Sequence, residues 1–203
     1  YISVSVGSGY RAHPFDLSAA DRFYSVRDPD VFNLLPQDDY NSYDIAEDGD
    51  LVEVSGQVNT VITSSDRGWK FTLPANQKVV SDSITFNDEV IFVTFSPDAV
   101  PGNTCISRGT NFLYRMSAIN GDPIVPNLAT LDPNDSDGER VKLLKQGGIA
   151  PSPAVLFPTP EDDCDEALGE CDPEPLYCVG VECEGTGFGN NPVRTLWTQD
   201  GIE

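Results

Sequence analysis

Residues 68–97 read GWKFTLPANQKVVSDSITFNDEVIFVTFSP, and this run decides the fold class. Trp69 to Leu73 is a first β-type segment, broken by Pro74, Ala75 and Asn76. Lys78 to Ser83 restarts it, and Asn87 with Asp88 turn the chain into Val90 to Phe95, where β-branched and aromatic residues crowd together. The expectation is a three-stranded meander. A copy of its last step follows at 109–121, GTNFLYRMSAING, where Phe112, Tyr114 and Met116 alternate with Leu113, Arg115 and Ser117 before an Asn-Gly turn. Such spacing is that of an all-β repeat protein.

Composition agrees. With 39% apolar residues in 203, the chain can bury the core of one domain. Seventeen Gly and sixteen Pro lie among the short β-type runs, and no amphipathic helical pattern exceeds about three turns. Many turns, long loops and little helix are therefore expected. The balance of 33 acidic against 12 basic side chains gives a net charge of −21, which repels nucleic acid and anionic lipid. It suits either a well-solvated surface or a calcium-rich environment.

Four of the five cysteines, Cys164, Cys171, Cys178 and Cys183, sit in one stretch near the end, which points to an oxidising compartment. Their gaps of six, six and four residues do not match paired zinc knuckles, and the single histidine, His13, is far away. Disulfides Cys164–Cys171 and Cys178–Cys183 are favoured, with Cys105 unpaired or exchanging with one of them. Sequence alone leaves the connectivity open. No apolar run approaches the roughly eighteen residues of a membrane span. The opening Tyr1 to Val6 already alternates as a strand without edge protection, so the chain is expected to be the C-terminal part of a longer protein.

Taken in order, 7–12 reads GSGYRA and fits the loose dinucleotide pattern, with Asp28 after the next strand. Pro14 and the short gap to the strand Arg22 to Arg27 leave no room for the required helix, so a Gly-rich loop is the better reading. His13 lacks the Cys or Ser partner of a nucleophilic triad and is read as a loop residue. Val31 to Pro36 suggests one helical turn, followed by the acidic loop 37–50, QDDYNSYDIAEDGD, in which Asp48 and Asp50 are cation candidates, and then Leu51 to Val54.

In 131–140, LDPNDSDGER, an EF-hand frame begun at Asp132 supplies Asn134 and Ser136 but places Asp137 where Gly belongs and Leu143 where the acid belongs. Asp132, Asn134, Ser136 and Asp137 are the calcium candidates; an acidic turn accounts for the same residues and is the favoured reading. Gly147 to Phe157 is a Pro-flanked strand, which Pro151 and Pro153 confine to an edge or to the first residues of pairing, and 158–175 is an acidic, Cys-bearing insert. Leu176 to Val181 and Pro192 to Thr198 supply the last strands, with Trp197 as an anchor. No haem motif, nucleophile elbow, zinc helix or phosphate loop is present.

Several blocks together carry a likeness: GSGYRAHP, DRFYSVRDP, GWKFTLP, KVVSDSITFNDEVIFVTFSP, the run from Cys105 to Tyr114, GGIAPSPAVLFP, CVGVEC and GFGNNPVRTLWTQ. In that order, over nearly the whole chain, they resemble the C-terminal domain of the PilY/PilC family of type IV pilus-tip proteins. The resemblance implies a modified β-propeller of the quinoprotein dehydrogenase-like kind, of which residues 1–203 supply the last blades. It implies a non-enzymatic factor that promotes pilus assembly, opposes retraction and serves in surface adhesion and twitching motility. The implied partners are minor pilins and the pilus tip, a host or abiotic surface, and the upstream part of the same protein, and no nucleic acid. The implied location is the cell surface or pilus tip, reached through the periplasm of a Gram-negative bacterium. The resemblance also implies calcium in the parent protein, on an Asp-rich loop that in the family normally lies upstream of this block, so that its ligands are not carried onto residues of this sequence.

The insert from Glu161 to Pro175 with Cys164 and Cys171 departs from the family pattern. Two other classes of function remain: a quinoprotein-type dehydrogenase fragment, which would need vicinal cysteines that are absent here, and a propeller scaffold binding glycan or protein, for which exposed Trp and Tyr are the sign. For an adhesin, Tyr40, Tyr43, Asp48 and the Cys-bearing insert are the expected contact points.

Overall fold

Ser3 and Ser5 point to one side of the opening strand and Ile2, Val4 and Val6 to the other, the alternation expected of a pleated strand. In the computed structural model, which describes residues 1–18, 20–32, 35–40, 46–97, 109–124, 140–159 and 173–186, this stretch forms β1 (Ile2–Gly7). It pairs antiparallel with β2 (Arg22–Asp28), Val4 facing Val26. The two-residue β3 (Val52–Glu53) lies parallel to β4 (Gly68–Thr72), which pairs antiparallel with β2. The first sheet thus runs β1-β2-β4-β3.

The antiparallel β1–β2 pair removes any βαβ unit, so 7–12 is a loop between hairpin strands and not a dinucleotide fingerprint. Its glycines have a packing reason: a Cβ on Gly7 would lie 2.2 Å from the Val79 side chain, and one on Gly9, at φ +153°, 2.2 Å from the Val79 carbonyl oxygen.

The second sheet contains β5 (Lys78–Val79), β6 (Ile84–Phe86), β7 (Glu89–Ser96), β8 (Thr110–Ser117) and β9 (Val141–Leu144). Both β5 and β6 pair with the same edge of β7, Lys78 opposite Phe95 and Ile84 opposite Ile91. Residues 80–83 therefore bulge opposite residues 92 and 93, which is why the expected strand from Lys78 to Ser83 is cut short. Asn87 and Asp88 both take positive φ, 49° and 60°, and close a two-residue hairpin between Phe86 and Glu89.

The expected meander of Trp69–Leu73 with the two following segments is corrected: β4 belongs to the first sheet, and β7 to the second. Pro74 has no N–H to extend a ladder, Asn76 sits at φ 69°, and Gln77 N–H donates to the Pro74 carbonyl. That turn carries the chain from one sheet to the next. The real meander is β7-β8-β9, with Phe92 opposite Tyr114 and Leu113 opposite Lys142.

A third sheet, β10 (Ala154–Leu156), β11 (Leu176–Val179) and β12 (Glu182–Gly185), has β10 at its edge, as its flanking prolines require. Helix among the described residues amounts to α1 (Gln37–Tyr40) and one 3-10 turn at Asp48–Asp50. The helical turn thus falls at the start of the acidic loop, and the described part of Val31 to Pro36 is non-helical. The described residues are all-β, in sheets that are antiparallel except at the β3–β4 pair and that do not close into a barrel.

The middle sheet is buried on both faces, which explains the nearly unbroken apolar run of β7. Val90, Phe92, Tyr114 and Met116 face Phe23, Trp69 and Phe71 of the first sheet. There Phe92 stacks on Phe23 with centroids 3.8 Å apart and on Tyr114 at 5.0 Å. Ile91, Val93 and Leu113 face Tyr177 and Val179 of the third sheet. The result is a stack of three sheets with two separate apolar interfaces. On the outer face of the first sheet Ile2, Val4 and Val6 remain exposed.

Candidate functional site

Glu47 and Asp50 cap the short turn between them reciprocally: Glu47 N–H donates to Asp50 Oδ2 at 2.8 Å, and the Glu47 side chain accepts from the Asp50 backbone. This turn aims Asp48 at the outer face of the first sheet, where β2 and β4 present Arg22 and Lys70. Arg22 Nη1 donates to Asp48 Oδ1 at 3.0 Å, and Lys70 Nζ donates to Asp48 Oδ2 at 2.5 Å and to the Asp48 carbonyl at 2.7 Å. Beside them Glu53 accepts from the N–H and Oγ of Ser55 and from the N–H and Oγ1 of Thr72.

The cluster sets its own charge states. The Lys70 hydrogen bond, helped by the charges of Lys70 and Arg22, outweighs desolvation and holds the Asp48 carboxyl below its ordinary range. At Glu53 burial pushes upward, but the Ser55 and Thr72 hydrogen bonds together outweigh it and the pKa is lowered. Asp66, bonded by Thr63, and Asp16, bonded by Ser18, are lowered in the same way.

A lowered folded pKa means stability that is present above the unfolded value and lost as pH falls through the folded one. The ordinary values are 3.8 for the aspartates and 4.5 for Glu53. Urea midpoints are therefore expected to change little between about pH 7 and 5 and to fall below about pH 4. Asp48→Asn is expected to flatten part of that fall; a midpoint that rises on acidification below pH 4 overturns the assignment.

Asp48 is thus engaged by two cations and Asp50 by a cap, which leaves neither as an open cation ligand. Among the described residues no group of three or more His, Cys, Asp or Glu side chains is placed to hold a metal ion. The calcium candidates Asp132, Asn134, Ser136 and Asp137 lie outside the described residues, as do Tyr43, Cys105, Cys164, Cys171, most of the insert and Trp197. Tyr40 closes α1.

Cys178 and Cys183 are bonded across the β11–β12 hairpin. Thr186 N–H donates to the Pro175 carbonyl, so the alternation leaves Cys178 and Cys183 at a non-hydrogen-bonded pair, with Cα atoms 4.1 Å apart. Gly180, at φ 59°, and Val181 make the two-residue turn. Closing so short a loop contributes about 2 kcal/mol by chain entropy.

The hairpin is fastened to the middle sheet. Glu182 accepts from the N–H groups of Lys145 and Gln146, Gln146 Nε2 donates to the Val179 carbonyl, and Lys142 pairs with Glu184. Arg115 grips Glu89 through two hydrogen bonds of 2.9 and 3.1 Å and lies 4.7 Å over the Tyr177 ring. Burial first, and the Glu89 charge second, push the Tyr177 phenol up to about 12, so it stays protonated at neutral pH.

Ser8, Asp21 and Lys78, which sequence reasoning missed, also come together. Ser8 Oγ donates to Asp21 Oδ1 at 2.9 Å and accepts from Arg22 N–H at 2.8 Å, and Lys78 Nζ donates to Asp21 Oδ2 at 3.1 Å. Asp21 and Lys78 are buried and the Ser8 proton is already given to a carboxylate, so the trio is a structural clamp between the first two sheets and not a nucleophile with its base. The 57-residue separation of Asp21 and Lys78 carries no local signal.

Comparison with known protein families, curated proteins and solved structures returns no match. The functional reading rests on the chain itself.

Proposed function

We propose that this chain forms blades of a modified β-propeller in a non-enzymatic type IV pilus-tip protein, one that promotes pilus assembly, opposes retraction and mediates surface attachment. The observation that carries the reading is the three-sheet stack, in which the middle sheet buries both faces and the sheets, antiparallel except at the β3–β4 pair, pack face to face as consecutive blades do. The family resemblance across many blocks of sequence adds the function. A framework of this kind bears load without reacting residues, and the cystine-closed hairpin and the ion-paired outer face suit an extracellular surface. Minor pilins at the pilus tip and a host or abiotic surface are the partners under this reading, with calcium held by the upstream part of the parent protein.

Deleting the segment that encodes this chain in the source bacterium tests the proposal. Surface pili, attachment and twitching are expected to fall together and to return on complementation. Normal piliation and attachment in the deletion strain overturn it.

A further inference from the structure

We infer that the loop from Tyr10 to Leu17 is a binding site for a neutral saccharide, an inference that deepens the adhesive reading and rests on it for its biological use. The loop leaves the first sheet after Gly7 and returns at Arg22, and several bonds hold it in one shape. Arg11 Nη1 donates to the Val80 carbonyl at 3.0 Å, His13 N–H to the Tyr10 carbonyl at 3.0 Å, Asp16 N–H to the His13 carbonyl at 3.1 Å and Ser18 N–H to Asp16 Oδ1 at 2.9 Å. The Phe15 ring meets Phe95 edge-on at 6.2 Å.

What this ordered loop offers to solvent is apolar and aromatic. Tyr10 is 62% exposed, Phe15 56% and Leu17 49%, and the His13 ring lies 4.9 Å from that of Tyr10, tilted by 52°. An open depression of about 450 Å³ is lined by Ala12, His13, Pro14, Phe15 and Asp16. That volume falls in the range of about 300–1,000 Å³ usual for small-ligand sites. Rings this exposed contribute little to the core, while the tether of Arg11 and the successive turns keep them in place without a partner.

Sugars match such a surface. Their C–H faces pack on aromatic rings, and their hydroxyls find an acceptor in the Asp16 carboxylate and a polar partner in the His13 ring. Charge selects among them: a chain of net −21 disfavours sialylated or sulfated glycans, which leaves neutral hexoses and N-acetylhexosamines.

Saturation-transfer NMR on the intact 203-residue chain tests this, with glucose, galactose, mannose and N-acetylglucosamine as probes and sialic acid and a polyproline peptide as comparisons. Transfer to the C–H face of at least one neutral sugar is expected. Tyr10→Ala and Phe15→Ser are expected to weaken it roughly tenfold, Tyr10→Ala at an unchanged melting temperature and Phe15→Ser at a slightly lowered one because it also gives up the contact with Phe95. No transfer to any neutral sugar, transfer that survives both substitutions, or a preference for sialic acid or polyproline overturns the site. Loss of attachment in the deletion strain without sugar binding removes this site and keeps the adhesive reading; sugar binding without a pilus phenotype does the reverse.

Discussion

Arg140→Met is expected to destabilise the fold by about 3–5 kcal/mol and to lower the melting temperature by on the order of 10 °C. Arg140 is 1% exposed, so its guanidinium has exchanged water for protein acceptors. Nε donates to the Gly121 carbonyl at 3.0 Å, and Nη2 donates to the carbonyls of Val54, at 3.2 Å, and Gln57. The same group lies 5.7 Å over the Phe71 ring. One side chain thereby ties the loop after β3 to the turn after β8. Methionine keeps the bulk and removes the guanidinium from the Gly121 and Gln57 carbonyls, at about 1–3 kcal/mol for each left unpaired, while the Val54 carbonyl keeps the Gln57 N–H. Arg140→Lys is expected to recover only part of the loss, because an ammonium cannot span the same fork of acceptors. Urea unfolding followed by tryptophan fluorescence reads the effect; a loss below about 1 kcal/mol means that water replaces the guanidinium and the clamp is dispensable.

Lys78→Met ranks next, at about 3–5 kcal/mol, because it leaves the Asp21 carboxylate buried with only the Ser8 hydroxyl for company. Side-chain exposures of 4% for Lys78 and 9% for Asp21 rule out relief by solvent without local opening. The cost comes from the orphaned charge and not from the pair's net worth, so Lys78→Met combined with Asp21→Asn is expected to regain most of the stability. Additive losses in the double variant would mean that the two side chains are uncoupled and would overturn this account. Because Lys78 opens β5 and Asp21 precedes β2, the single variant also loosens the first sheet from the second.

Both variants act on joints between layers. Pulling on the chain is resisted inside each sheet by ladders of hydrogen bonds, but between sheets by apolar contact, Arg140, the Lys78–Asp21 pair and the Arg115 bridge to Glu89 and Tyr177. Charged connections of this sort are directional. They hold the register of one layer on the next, which apolar packing alone does not.

The acidic loop shows how a sequence can mislead about a site. Asp48 reads as a spare carboxylate among many, yet the turn that Glu47 and Asp50 cap brings it onto Arg22 and Lys70. Nothing local announces those partners, 26 and 22 residues away. By contrast, the exposed rings of the loop from Tyr10 to Leu17 stand out once burial is known, since composition alone cannot tell a core aromatic from a surface one.

Local alternation and turn chemistry by themselves determined most of the strands. β1 and β8 follow from period-two patterning, β7 from its crowd of β-branched and aromatic residues, and the β6–β7 hairpin from Asn87-Asp88, while the prolines before β10 confine it to an edge or to the start of pairing. Tertiary structure alone decided the rest. It sent β4 to a different sheet from β7, made a strand of Val141–Leu144 and another of Glu182–Gly185, whose Glu and Gly are poor strand formers, and buried Arg140. The physical reason is range: a strand's pleat and its tight turn are settled within a few residues, whereas the edge it pairs with and the charge it must neutralise are settled by segments tens of residues away.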